Sequence, residues 1–183
     1  KEVFDAPVIG DFAAAMGGIR VDRGTGSDEP LHAAEEALNA GEMVAVMPQG
    51  TIPRGPAFFD PELKGRWGAI KLAHATGAPV IPVGIWGTEK VWPRSSKLPN
   101  VTNVLSPPTV WINVGEAVEI GGDDLEEDTK AMMSAIVDLL PDVARLRREP
   151  TPEELAATYP DGKVPDDVED AATHEGDRRP GTD

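Results

Sequence analysis

The chain has 183 residues, of which 40% are hydrophobic and 27% charged, and this composition is typical of a globular protein rather than a disordered one. It contains no cysteine, so disulfides, thiolate metal sites and a cysteine nucleophile are excluded. Its three histidines are dispersed, and we predict no metal site. A net charge of −15 argues against general nucleic-acid binding, and we expect no nucleic-acid partner.

Helical and extended patterns alternate along the chain. Apolar residues at helical spacing, with suitable end signals, predict helices over residues 4–16, 28–39, 65–76 and 123–140. Short apolar or alternating runs predict strands over residues 19–21, 43–47, 79–86 and 110–114. The run 79–86 is continuously apolar, which is typical of a strand buried on both faces. This order predicts an α/β fold with a mixed, largely parallel sheet flanked by helices.

The last 35 residues differ in composition from the rest. Residues 149–183 contain 11 acidic and three basic side chains, together with five prolines. We predict an acidic, Pro-rich, solvated C-terminal tail at 149–183 after a folded domain at 1–148. Within this tail, Thr151 as N-cap and Pro152 at the first helical position predict a short helix over residues 153–158.

Basic residues concentrate in the middle of the chain. Residues 50–100 carry seven basic and three acidic side chains, which indicates an anionic ligand or surface, or else chance clustering on a solvated helix face. The loop at 48–61 follows a predicted strand, where open α/β sheets bind ligands. Gly50 gives an anion access to the backbone, Thr51 supplies a hydroxyl, and Arg54 supplies a guanidinium that can bind phosphate bidentately. The alternative is a rigid turn without a ligand.

Four segments of the chain, in the right order and spacing, resemble motifs of the 1-acyl-glycerol-3-phosphate (lysophosphatidate) acyltransferases, which are glycerophospholipid acyltransferases. The resemblance extends over residues 1–118. The segments are Gly18-Ile19-Arg20-Val21-Asp22-Arg23, Pro48-Gln49-Gly50-Thr51, the helix at 64–73, and the run 79–90. Pro48-Gln49-Gly50-Thr51 stands where the family has Pro-Glu-Gly-Thr-Arg-Ser.

This resemblance implies a partial glycerolipid acyltransferase fold and transfer of a fatty acyl group to 1-acyl-glycerol-3-phosphate, which yields phosphatidic acid. The donor would be acyl-CoA or acyl-carrier protein, with no further cofactor, and the enzyme would associate with the cytoplasmic face of a membrane. The implied substrate-binding residues are Arg23, Gln49, Gly50, Thr51, Arg54 and Lys1. Two alternatives stay open: a different acceptor, such as glycerol 3-phosphate or a glycolipid, and a lipid- or anion-binding module without catalysis.

The sequence departs from the family in two ways. Gln49 replaces the family's glutamate and Ile52 its arginine, so Arg54 becomes the nearest guanidinium. The family's His-x-x-x-x-Asp motif, which carries the general base, is absent, because no histidine here has an aspartate five residues later. In the family it precedes the segment matched by Lys1-Glu2-Val3-Phe4. We therefore expect it upstream of residue 1 in a longer protein, leave the catalytic residues unassigned, and expect this chain alone to be inactive.

Two spatial hypotheses follow from these motifs. Arg23 and Arg54 each follow a predicted strand, so neighbouring parallel strands would bring both to one phosphate site with Gly50 and Thr51. The alternative is that Arg54 pairs with Asp60 or Glu62 on the loop surface.

Aromatic residues suggest where a membrane would contact the protein. The loop with Trp92, Arg94 and Lys97 and the turn at Phe58-Phe59 are the candidate membrane contacts, because tryptophan favours the membrane–water boundary. Trp111 lies in an alternating strand and is predicted to be in the core.

Overall fold

The computed structural model describes residues 9–20, 29–50, 52–96, 99, 105–121, 124–159 and 162–164. Within these ranges the chain forms seven α-helices, one 3₁₀ helix and two β-strands. The helices are α1 (Ile9–Ala15), α2 (Glu29–Asn39), the 3₁₀ helix (Gly55–Phe59), α3 (Gly68–Thr76), α4 (Thr88–Val91), α5 (Leu125–Asp138), α6 (Asp142–Arg145) and α7 (Pro152–Ala157). The strands are β1 (Val83–Trp86) and β2 (Trp111–Val114).

The two strands form an antiparallel pair. Val83 lies opposite Val114 and Trp86 lies opposite Trp111. An isolated antiparallel bridge between Val80 and Val118 extends the contact. The strands predicted within 79–86 and 110–114 are thus confirmed as extended segments. A largely parallel sheet stays a prediction, because both the strand pair and the bridge within the described ranges are antiparallel.

The predicted strand at residues 43–47 is not observed. These residues have no regular secondary structure, and Met43 is 95% exposed. A strand needs a hydrogen-bonded neighbour, and within the described ranges this segment has none. Of the predicted strand at 19–21, residue 21 lies outside the described ranges, and residues 19 and 20 form no strand.

One face of the sheet packs on α5 and the other is open. A Cβ at Gly84 would lie 2.7 Å from the Cβ of Leu139, just after α5, so the sheet approaches the helix closely there. On the opposite face, four β-branched side chains are 40–67% exposed: Val83, Ile85, Ile112 and Val114. The expectation that this strand is buried on both faces is therefore wrong. Trp111, predicted to be in the core, is 58% exposed because it lies at the end of the short ladder.

The hydrophobic core lies between α3 and α5. Ile70 on α3 is completely buried and contacts Met132 and Met133 on α5. Partly buried apolar side chains surround these three: Leu63, Ala69, Val80, Ile120, Leu125 and Ile136. The core therefore joins the segment after the candidate loop to the long C-terminal helix.

The helix ends agree with the sequence signals. The Asp124 carboxylate caps α5 by accepting hydrogen bonds from the backbone N–H groups of Glu126 and Glu127. Gly77 ends α3 in the left-handed conformation, with φ of 68°. Thr151 caps α7 through a reciprocal pair of hydrogen bonds with Glu154, as Thr151 and Pro152 predicted.

Part of the predicted solvated tail is packed. Thr158 and Tyr159, at the end of α7, are both buried. Composition averaged over 35 residues did not reveal this, because the acidic residues outnumber the few that are buried. Residues 160–161 and 165–183 lie outside the described ranges, and the division at residue 148 stays a prediction.

Substituting Gly65 with alanine is expected to lower the free energy of unfolding by about 1–3 kcal/mol. A Cβ there would lie 2.7 Å from Met133 Cγ and 2.8 Å from Thr129 Cγ2, so these two side chains, or α5 with them, would have to shift. Gly121→Ala is the control, because no atom lies within 4 Å of its Cβ position. Urea denaturation measures the free energy of unfolding of both variants. Equal values would show that α5 is not packed closely against Gly65.

No helix in the described ranges combines the length and hydropathy that crossing a bilayer requires.

Candidate functional site

The loop at residues 48–54 folds back on the segment that precedes α3. The Arg66 backbone N–H donates to the Pro48 carbonyl at 2.8 Å. The Gly50 N–H donates to the Met47 carbonyl at 3.0 Å, and Gly50 has φ of 68°, which favours glycine. The Gly50 N–H therefore closes a turn, and anion binding by the backbone near Gly50 stays a prediction.

Gly50 instead allows the Arg66 side chain to approach the loop. A Cβ at residue 50 would lie 2.8 Å from Arg66 Cδ and 2.9 Å from Arg66 Nε. Any larger residue would push this guanidinium away. Sequence reasoning noted Arg66 as part of the basic helix that directly follows the loop, and a glycine next to an expected anion site was the one signal of its contact with the loop.

Arg94 reaches the same loop from the segment after α4. Its Nη1 donates to the Ile52 carbonyl at 3.1 Å. The Cα atoms of Gly50 and Ile52 can be no more than about 7 Å apart, so Arg66 and Arg94 both attach to one short stretch. Arg94 was predicted as a membrane contact together with Trp92, which is exposed beside it. Lys97, the third residue of that hypothesis, lies outside the described ranges.

Arg54 is at the end of this loop. It occupies the N-cap of the 3₁₀ helix without a side-chain capping bond, and its side chain is exposed. Among the described residues it forms no ion pair, and Asp60 pairs instead with Arg147 at 3.1 Å. The alternative in which Arg54 pairs with Asp60 or Glu62 is therefore wrong.

Among the remaining predicted site residues, only Gln49 lies within the described ranges. Gln49 is half-buried at the start of the loop. Arg23, Thr51 and Lys1 lie outside the described ranges, so the joint site of Arg23 and Arg54 stays a prediction. The loop thus brings together Gln49, Gly50 and Arg54 with two arginines that sequence reasoning had not placed there.

A histidine–aspartate pair lies elsewhere in the molecule. His74 Nε2 and Asp128 Oδ2 are 2.8 Å apart, and Asp128 is buried. His74 is six residues beyond Gly68, the first residue of α3, so the helical rise places it about 9 Å along that helix. The pair therefore joins α3 to α5 rather than belonging to the loop. Its members are 54 positions apart in the sequence, so the pair has no sequence signature.

Within the described ranges, no three histidine or carboxylate side chains are grouped as metal ligands.

Residues 1–86 match the family model described as "Acyltransferase". The matched region ends within β1 and includes the whole candidate loop and Arg66. The match covers just under half of the chain, and it shows that residues 1–86 are similar to the acyltransferase family in general. It does not distinguish among acceptors or donors.

The curated relatives are mycobacterial. The chain is 36% identical over 94 residues to uncharacterized proteins of Mycobacterium tuberculosis and Mycobacterium bovis, covering 50% of this chain and 24% of each relative. It is 33% identical over 109 residues to an uncharacterized protein of Mycobacterium leprae, covering 58% of this chain and 28% of that protein. The chain thus spans about a quarter of the length of these relatives. No solved structure matches significantly.

Proposed function

We propose that the protein containing this chain transfers a fatty acyl group from acyl-CoA or acyl-carrier protein to 1-acyl-glycerol-3-phosphate. The observation that carries the proposal is the attachment of Arg66 and Arg94 to one stretch of the loop that resembles the family's substrate motif. The acyltransferase match over residues 1–86 supports the reaction class. Arginine side chains bind phosphate through charged hydrogen bonds, so we assign Arg66 and Arg94 to the phosphate of the acceptor.

The reaction assigns different tasks to different groups. The acceptor hydroxyl attacks the thioester carbonyl carbon, a base takes the hydroxyl proton, and the thiolate leaves as the ester forms. Guanidinium groups that fix the phosphate hold this hydroxyl in place for attack. We assign that task to Arg66 and Arg94, with Arg54 at the end of the loop. Arg23, Gln49, Thr51 and Lys1 remain proposed substrate contacts through the family resemblance.

The base is not assigned within this chain. The family's His-x-x-x-x-Asp motif is expected upstream of residue 1, and general-base catalysis contributes roughly 10²–10⁴-fold to the rate. The chain by itself is accordingly proposed to bind acceptor without appreciable turnover. Turnover by the 183-residue chain comparable to that of a longer protein would place the base within it.

The acceptor and product are both lipids, so we propose that the enzyme works at the cytoplasmic face of a membrane. Trp92 is exposed beside Arg94, which supports this segment as one contact with the lipid surface. Phe59 supports the alternative turn less well, because the Arg148 guanidinium covers its ring at 5.0 Å.

Arg66→Ala and Arg94→Ala are each expected to weaken binding of lysophosphatidate in neutral micelles by roughly ten- to a hundredfold. A hydrogen bond to a charged group contributes about 1.5–3 kcal/mol, and 1.4 kcal/mol corresponds to a factor of ten. The chain's net charge of −15 cannot attract phosphate in general, so binding must come from local cations. Isothermal titration with lysophosphatidate and with monoacylglycerol of the same chain length measures the difference.

Arg145→Ala is the matched control, since it removes the same charge from α6, where the guanidinium pairs with Asp142. It should leave lysophosphatidate binding unchanged. Equal affinity of the unmodified chain for lysophosphatidate and monoacylglycerol would refute the phosphate site. A preference for free glycerol 3-phosphate over lysophosphatidate would favour the alternative acceptor. Phosphate binding in a longer protein that has no transferase activity would favour the non-catalytic module.

A further inference from the structure

The segment at residues 147–159, here called the C-terminal clasp, packs against the residues that directly follow the candidate loop. The Gly55 backbone N–H donates to Thr158 Oγ1 at 2.8 Å across 103 residues of sequence, in a buried position. The Thr158 hydroxyl in turn donates to the Leu155 carbonyl at 2.7 Å, so its orientation is fixed by α7. Gly55 is itself buried and adjoins Arg54.

The Tyr159 side chain occupies the space that a side chain at residue 55 would need, so this position favours glycine. A Cβ at Gly55 would lie 2.7 Å from the Tyr159 hydroxyl oxygen, and Gly55 has φ of 57°. Tyr159 is buried against this position. A side chain at residue 55 would therefore displace Tyr159 or the backbone of the 3₁₀ helix.

Charged contacts hold the outer part of the clasp. Arg147 bonds to Asp60 at 3.1 Å, and Arg148 lies over the Phe59 ring. Arg148 also donates to both carboxylate oxygens of Glu154, at 2.7 and 2.8 Å. The hydrogen bonds from Arg148, and to a smaller extent the bond from the Thr151 backbone N–H, lower the pKa of Glu154 to about 2. Its carboxylate therefore stays charged at neutral pH.

We propose that the C-terminal clasp positions the phosphate loop, with Thr158 and Tyr159 as positioning residues for Arg54 and its neighbours. The loop is otherwise fixed at Pro48 by the Arg66 backbone and at Ile52 by Arg94. The clasp supplies the third attachment, at Gly55. A loop fixed at three points loses its conformational entropy on folding rather than on binding the phosphate. The expected effect of the clasp on phosphate binding rests on the proposed function, whereas the attachment of the clasp at Gly55 does not.

Exchange of single backbone amides tests the attachment. Thr158→Val keeps the shape of the side chain but removes the acceptor, and Gly55 amide exchange measured by NMR should accelerate about fivefold, corresponding to a typical hydrogen bond of about 1 kcal/mol. Thr158→Ser should restore protection. Thr76→Val is the matched control, because the Thr76 hydroxyl donates to the Leu72 carbonyl at the end of α3. It should leave Gly55 unchanged, and unchanged Gly55 exchange in Thr158→Val would overturn the proposal.

Titration with lysophosphatidate micelles tests the positioning. Thr158→Val should weaken lysophosphatidate binding about three- to tenfold and leave monoacylglycerol binding unchanged. Arg148→Ala should weaken lysophosphatidate binding less, and this substitution at an exposed site should not affect folding. Faster Gly55 exchange with unchanged lysophosphatidate affinity would overturn the positioning role. If the unmodified chain fails to prefer lysophosphatidate, the proposed function fails instead, and Gly55 exchange alone then decides whether the clasp fixes the loop.

Discussion

Replacing Ile70 by alanine is expected to lower the free energy of unfolding by about 2–5 kcal/mol, the usual range for truncating a buried isoleucine. Ile70 is completely buried and contacts Met132 and Met133, so the substitution removes apolar contacts and leaves a cavity between α3 and α5. Met132 and Met133 lie on α5, which also packs against the sheet near Gly84, and this limits collapse into that space. Urea denaturation followed by circular dichroism measures the change.

Two further variants calibrate this result. Ile70→Val removes one methylene and should cost about 0.5–1.5 kcal/mol. Ile52→Ala makes the same change as Ile70→Ala at a side chain that is 59% exposed, and should alter stability by no more than about 0.5 kcal/mol. If Ile70→Ala and Ile52→Ala were equally stable, the core would not lie between α3 and α5.

Helices were largely predictable from the sequence, and sheet pairing was not. The α3 and α5 regions show apolar residues at helical spacing and local end signals, at Gly77 and Asp124, so neighbouring residues suffice to define them. Strand pairing depends on partners distant in sequence, which an apolar run does not specify. The run at 79–86 therefore predicted extended backbone correctly and burial on both faces incorrectly.

In the candidate site, too, the loop could be predicted from neighbouring residues, whereas the residues that contact it from elsewhere in the chain could not. The loop at 48–54 stood out because glycine, proline and arginine follow one another there. Arg66 and Arg94 reach it through tertiary contacts, 16 and 42 residues away from the positions they touch. Thr158 reaches Gly55 from still further along the chain. Composition predicted a solvated tail there because two buried side chains hardly change the average of an acidic segment.

His74 and Asp128 are expected to stabilise the fold as a coupled pair. His74→Ala should lower the free energy of unfolding by about 1–3 kcal/mol, since it leaves the Asp128 carboxylate buried without this partner. Adding Asp128→Ala removes that orphaned group, so the double variant should lose less than the sum of the single losses. A double-mutant cycle should give a coupling of about 1 kcal/mol or more.

Glu126 and Lys130 provide the control cycle on the same helix. Their side chains lie 2.9 Å apart, a separation similar to that of His74 and Asp128, but both are largely exposed. Water screens such a pair, and its coupling should be no more than about 0.5 kcal/mol. Because both pairs involve α5, burial of the carboxylate is the main difference between the two cycles. A His74–Asp128 coupling no larger than the control would mean that water reaches Asp128 and that α3 and α5 are joined by apolar contacts alone.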